Sequence, residues 1–253
     1  MKVIVIGVVL AVVGALGGAI ATKRLDIAEV SRAAKENPYP SKSPMHAPFA
    51  ALLAKLEAHP RLSQEIKKAG RGQQAVAVGE KISSRGLPKL DDRSLLLMIK
   101  LSLDILDQMD ERACGLALKG KMGAGAKEAA LYRAATASPM PLLQFFDALE
   151  RVGAEKGGAY LELVYQALAR GVDDSIAERE PHPSEVQAAM VTLVQGRISP
   201  EHRESIVGTI SRWDQARNED LCLAARALYA NIGVTPDPHR RVILRYIAAN
   251  TGG

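Results

Sequence analysis

From Val3 to Ala21 the chain runs nineteen residues without one polar or charged side chain, fenced by Lys2 before the run and by Lys23 and Arg24 after it. At about 1.5 Å per residue, a helix of that length spans roughly 28 Å, close to the ~30 Å hydrocarbon core of a bilayer. Nothing later in the sequence is comparably apolar, so residues 1–21 read as a transmembrane anchor and the rest as what it tethers. Small residues recur every fourth position at Gly7, Ala11, Ala15 and Ala19, with Gly14 and Gly18 on an adjoining stripe. Such a face lets a second membrane helix approach closely, which predicts a homodimer or docking to a partner's span.

A cleaved signal peptide is the main rival, because Ala19-Ile20-Ala21 is a small-x-small site before Thr22. The length of the run and the single basic residue ahead of it favour the uncleaved anchor. A dinucleotide-binding strand fails, since Val8, Val9 and Leu10 stand where a G-x-G-x-x-G array is required. Flanking charge leaves orientation divided. Lys23, Arg24, Arg32 and Lys35 argue for a cytoplasmic domain by the positive-inside rule, whereas a near-terminal apolar run with a basic start is first of all an export signal. The expectation is a single-pass bacterial inner-membrane protein with a periplasmic domain. Export after cleavage and a domain facing the cytoplasm are the alternatives.

Basic charge gathers next to the anchor: residues 22–89 hold 13 Lys/Arg against 6 Asp/Glu, whereas residues 90–253 hold 19 against 22. Held close to anionic headgroups, each such cation contributes about 1 kcal/mol, so membrane lipid is an expected partner. No nucleic-acid partner is expected, because no basic cluster is interleaved with stacking aromatics and no zinc-finger, zipper or homeodomain pattern occurs. Residues 22–48 read as a basic juxtamembrane helix followed by a stalk, as Pro38, Pro40, Pro44 and Pro48 preclude a helix and favour extended geometry.

Residues 49–253 read as a helical domain, with a candidate subdomain split near 120–126. With aromatic content of only 4%, the enrichment of an all-β fold is missing. Apolar residues at three- and four-residue steps predict helices over 49–59, 62–69, 75–82 and 127–137. Asp91 or Asp92 caps a long helix over 93–115, and a pair over 142–152 and 159–169 flanks a glycine-rich break, with Gly171 as a left-handed cap. Ser184 and Ser199-Pro200-Glu201 start two more, and 219–232 and 239–249 complete the series. Glycine stops at 115, 153, 171 and 233 are too uneven for a fixed repeat. The fold class is therefore all-α: an N-terminal transmembrane helix followed by an irregular multi-helix bundle or short α-solenoid.

Chemistry-bearing motifs are scarce. The stretch 120–128 resembles a phosphate loop but has Ala126 before its lysine and Glu128 after it, where Ser or Thr is needed. Asp104, Asp107 and Glu111 share the outer face of the predicted long helix, and Glu178, Glu180 and His182 share a loop; each set has the composition of a solvated surface. No metal or cofactor site is expected. Cys114 and Cys222 sit in apolar helical patterns, either as buried thiols or, in an exported domain, as one long-range disulfide. The function expected is that of a membrane-tethered helical protein-interaction module, of inhibitor, immunity, assembly-factor or scaffold type. Its candidate hot spots are Trp213, Arg240, Arg241 and Arg245. Two alternatives stand beside this: Trp213 as core beside Ile206 and Ile210, and an enzyme whose carboxylates and histidine converge from separate helices.

Overall fold

The computed structural model describes residues 37, 39–69, 73–119, 141–174, 176–177, 179–212 and 215–250. The anchor candidate with its small-residue stripes, the glycine loop at 120–126, the helix expected over 127–137 and Trp213 lie outside the described residues. Among the described residues, no helix is long and apolar enough to cross a membrane.

Ten α-helices and no strand make up the described part, which is all-α. They are α1 (His46–Ala58), α2 (Pro60–Ala69), α3 (Gln73–Gly86), α4 (Asp92–Leu106), α5 (Glu111–Leu118), α6 (Pro141–Val172), α7 (Pro183–Arg197), α8 (Pro200–Ser211), α9 (Asn218–Ile232) and α10 (His239–Ala249). A 3-10 turn, Leu87–Lys89, joins α3 to the approach of α4. Helix lengths from 8 to 32 residues fit an irregular bundle. Apart from Val186, its buried apolar side chains form one cluster running from Tyr39 to Ala248.

The hub is α6, against which α1, α2, α3, α4 and α5 all pack. It is two helical segments joined at Gly153, whose φ of 87° and ψ of 166° lie in a region that only glycine adopts freely. The sequence places this break across 153–158. In fact the helix resumes directly after Gly153, and Gly157 and Gly158 lie inside it as a landing surface. A Cβ on Gly157 would stand 2.5 Å from the Met45 sulfur, and one on Gly158 would touch Pro48 at 3.5 Å.

This contact corrects the proline-rich stalk. Tyr39 and Met45 are buried, and the Tyr39 ring meets Phe49 and Phe146 edge-on. Its hydroxyl donates to the Phe146 carbonyl at 3.1 Å. Burial first, then Glu150 and Asp147, pushes this phenol above its ordinary range. Prolines do exclude a helix interior, but Pro48 lies in the first turn of α1, where a missing N–H goes unmissed.

Gly171 is no cap either, since it lies within α6 where α3 crosses it. A Cβ on Gly171 would fall 1.9 Å from the Ile82 carbonyl oxygen, and one on Gly86 would fall 1.7 Å from that of Ala167. The two glycines thus let the backbones of α3 and α6 touch. Gly171→Ala should force the helices apart and cost about 2 kcal/mol, read as a lower urea midpoint at unchanged slope. An unchanged midpoint would mean that the crossing yields without strain.

The single long helix expected over 93–115 is two. It stops at Leu106, and Asp110 opens α5 by accepting the Ala113 N–H at 2.8 Å. Asp91 caps α4 in the expected way, accepting the Ser94 N–H at 2.7 Å. Hydrogen bonds from the Ser94 backbone and side chain hold its carboxyl below the ordinary aspartate value. A depressed folded pKa means stabilisation that is present above the unfolded pKa and lost as pH falls through the folded one. Asp91→Ala should therefore cost about 1 kcal/mol at neutral pH, with the difference from the native chain fading as pH drops below about 4 in urea titrations.

The C-terminal helices hold α4 at both ends. From α9, the Arg226 Nη2 donates to the Leu106 carbonyl and, at 2.9 Å, to that of Met109, while its Nε lies 3.2 Å from Asp107. From α10, the Arg245 Nη1 donates to the carbonyls of Pro88 (3.2 Å) and Leu90 (2.9 Å), and its Nε to Asp92 (2.6 Å). Between these grips a disulfide joins Cys114 of α5 to Cys222 of α9, with Cα atoms 5.5 Å apart and both residues fully buried. Gly115 beside it admits the Asn218 backbone, whose oxygen would be 2.1 Å from any Cβ there.

Candidate functional site

The three α10 arginines do not share a face. Arg245 is only 6% exposed and is committed to Asp92 and two carbonyls, which corrects its assignment as a solvent- or partner-facing hot spot. Arg241 and Arg240 stay near the surface, the first 3.2 Å from Asp92 and the second paired with Asp237. Ile206 and Ile210, the residues that share the apolar stripe of Trp213 in the sequence, are buried at 8% and 7% exposure.

Around Arg240 and Arg241 the structure gathers residues that the sequence does not single out. Arg93, Leu97 and Lys100 lie at helical spacing on the exposed face of α4. Gly233, the chain neighbour of Val234, comes within 3.3 Å of the Lys100 side chain, measured from a Cβ position. Leu97 is 42% and Val234 55% exposed. The contact of Arg241 with Asp92 ties the start of α10 to the same side of α4. These two contacts set the stretch from Gly233 to Arg241 beside α4, so that two exposed apolar residues, Leu97 and Val234, and four cations share this region, with Asp92 and Asp237 as its carboxylates. No sequence signal marks it, because its members lie on two helices and a loop more than 130 positions apart.

The carboxylates of the enzymatic alternative are held apart. Asp104 pairs with Lys156 of α6 at 2.7 Å, not with Lys100; Asp107 pairs with Arg226; Glu111 sits in the first turn of α5. Among the described residues, no group of three or more His, Cys, Asp or Glu is placed to hold a metal ion.

His182 has a structural task. It caps α7 in place of Ser184, its Nδ1 accepting the Ser184 N–H while Glu185 accepts the His182 N–H at 2.7 Å. At α8 the Ser199 hydroxyl bonds to His202 Nδ1 at 2.8 Å instead of capping the backbone. His182 and Glu180 border a groove of about 880 Å³ between α7, α8 and Tyr246 of α10. Comparison with known proteins returns no match: no family model, no characterised protein and no solved structure is significantly similar.

Proposed function

We propose that the chain is a membrane-tethered helical interaction module that acts by binding a protein partner, as an inhibitor, assembly factor or scaffold does. In this reading residues 3–21 anchor it in the inner membrane and, through the stripe at Gly7, Ala11, Ala15 and Ala19, meet a second span. The basic segment after them lies on anionic lipid. The Cys114–Cys222 disulfide supports the periplasmic side, because such bonds persist in oxidising compartments.

The observation that carries the binding role is the α4–α10 face. Leu97 and Val234 are its exposed apolar residues, and Arg93, Lys100, Arg240 and Arg241 are its cations. Arginine forks and a desolvated apolar centre are what tight interfaces use, and a basic rim selects an acidic partner surface.

The test places a photo-crosslinking amino acid at position 97 or 234 of the full chain in its native membrane. A discrete protein adduct is expected from both sites, and Arg93→Glu with Lys100→Glu should weaken capture about tenfold. Adducts to lipid alone, or capture indifferent to charge reversal, would move the interface elsewhere.

A further inference from the structure

The groove between α7 and α8 is a separate feature from the α4–α10 face, and its chemistry is specific. Helix α7 carries one broad apolar face. Ala189 and Leu193 are fully buried in the core, while Val186, Met190 and Val194, four apart, line the groove with Val191 beside them. Met190 and Val194 thus meet the core on one flank and remain only partly covered on the other, where the groove opens. From the other side α8 contributes Val207 and Ile210, and Val191 and Val207 remain 44% and 45% exposed. Volume lies within the ~300–1,000 Å³ range of small-molecule sites.

Along its length the groove has no charge. The polar residues of its walls are Gln187, Gln195 and Ser211, and the apolar residues that α7 and α8 contribute are aliphatic or thioether, with the Tyr246 ring of α10 beside them. Only two residues, 198 and 199, separate α7 from α8, and Ser211 at the end of α8 lines the same groove as Pro183 at the start of α7. There the charges concentrate: Arg179 and Glu180 adjoin His182, next to Tyr246. Glu180 accepts one hydrogen bond from Asn250 at 2.9 Å. Val186 to Val194 alone covers about 12 Å of helix axis.

We propose that this groove binds a single-chain zwitterionic phospholipid, its alkyl chain along Val186, Met190, Val194, Val207 and Ile210, its phosphate at Arg179 and its ammonium at Glu180. An acid and a base side by side match a head that carries both signs, whereas a fatty acid would set its carboxylate against Glu180. Aliphatic walls suit an alkyl chain better than a flat aromatic ligand, which gains from ring contacts.

The probe is lysophosphatidylethanolamine with a diazirine in its acyl chain, added to the full-length protein in phosphatidylcholine vesicles and irradiated. Label is expected in the tryptic peptides 180–197 and 204–212. Val191→Glu and Val207→Glu, both at exposed positions, should keep helix content and the disulfide but cut labelling about tenfold, because each sets a charge beside the chain. Exchanging the charges, Arg179→Glu with Glu180→Arg, should lower labelling while leaving the groove walls intact. Label confined to residues 1–21, label insensitive to Val191→Glu and Val207→Glu, or groove peptides joined to another protein would each overturn the site. Equal labelling by the lysophosphatidylglycerol analogue would overturn the zwitterionic head. Failure of this test leaves capture at positions 97 and 234 unaffected, so the two surfaces are judged independently.

Discussion

Arg245→Leu should destabilise the fold by about 3 kcal/mol, read as a shift of the urea midpoint. The guanidinium satisfies the Leu90 and Pro88 carbonyls and neutralises Asp92, and leucine of similar bulk keeps the apolar stem while removing all three contacts. Asp92 keeps 37% of its side chain exposed, so water shares in screening its charge and the cost stays below that of a fully buried pair. Arg245→Lys should recover only part of the loss, because an ammonium does not reproduce the planar fork that reaches carbonyls and carboxylate together. In a double-mutant cycle, Asp92→Asn with Arg245→Leu should cost less than the sum of the single changes. Strict additivity would show that the two groups do not act as a pair.

Replacing both Cys114 and Cys222 by Ala should have the largest effect, about 4–5 kcal/mol. The bond closes a loop with a sequence separation of 108 residues, and chain-entropy arguments give about that much for a loop of this size. Differential scanning calorimetry of the native chain with and without reductant, beside the double variant, measures it. Reduction of the native protein should converge on the variant. A loss under 1 kcal/mol would mean that the reduced unfolded chain retains structure across the same span.

What could be read from the sequence was local. Asp91 as a cap, Pro200 at the first position of α8 and Gly233 at the end of α9 each declare themselves within one turn, and the structure places all three as expected. What could not be read depends on partners far along the chain. Arg245 looks like a surface cation until Asp92, 153 positions away, is brought to it. Gly171 has the composition of a helix stop, and only the approach of Ile82 shows why a side chain is excluded there. Asp110 was lost inside a continuous apolar periodicity, because Met109 and Ala113 are buried on either side of the turn and keep the pattern unbroken. The groove was half legible. The spacing of Val186, Met190 and Val194 is in the sequence, but that α8 stands off from it is a tertiary fact.

Because α6 is the hub, the first helices have only one another to close upon when they are made. Tyr39 meets Phe146, Lys55 meets Glu162 and Arg61 meets Asp174, each across 107 to 113 positions. At ~5–20 residues per second, a ribosome that has just finished α1 needs roughly 5–20 s more to supply α6. Throughout that interval Phe49, Leu52, Leu56 and Leu62, all destined for the core, lack the part of their cover that α6 supplies. Such a chain is exposed to aggregation for as long as its partner helix is unmade, and the demand on holding chaperones falls on its first quarter rather than on its last.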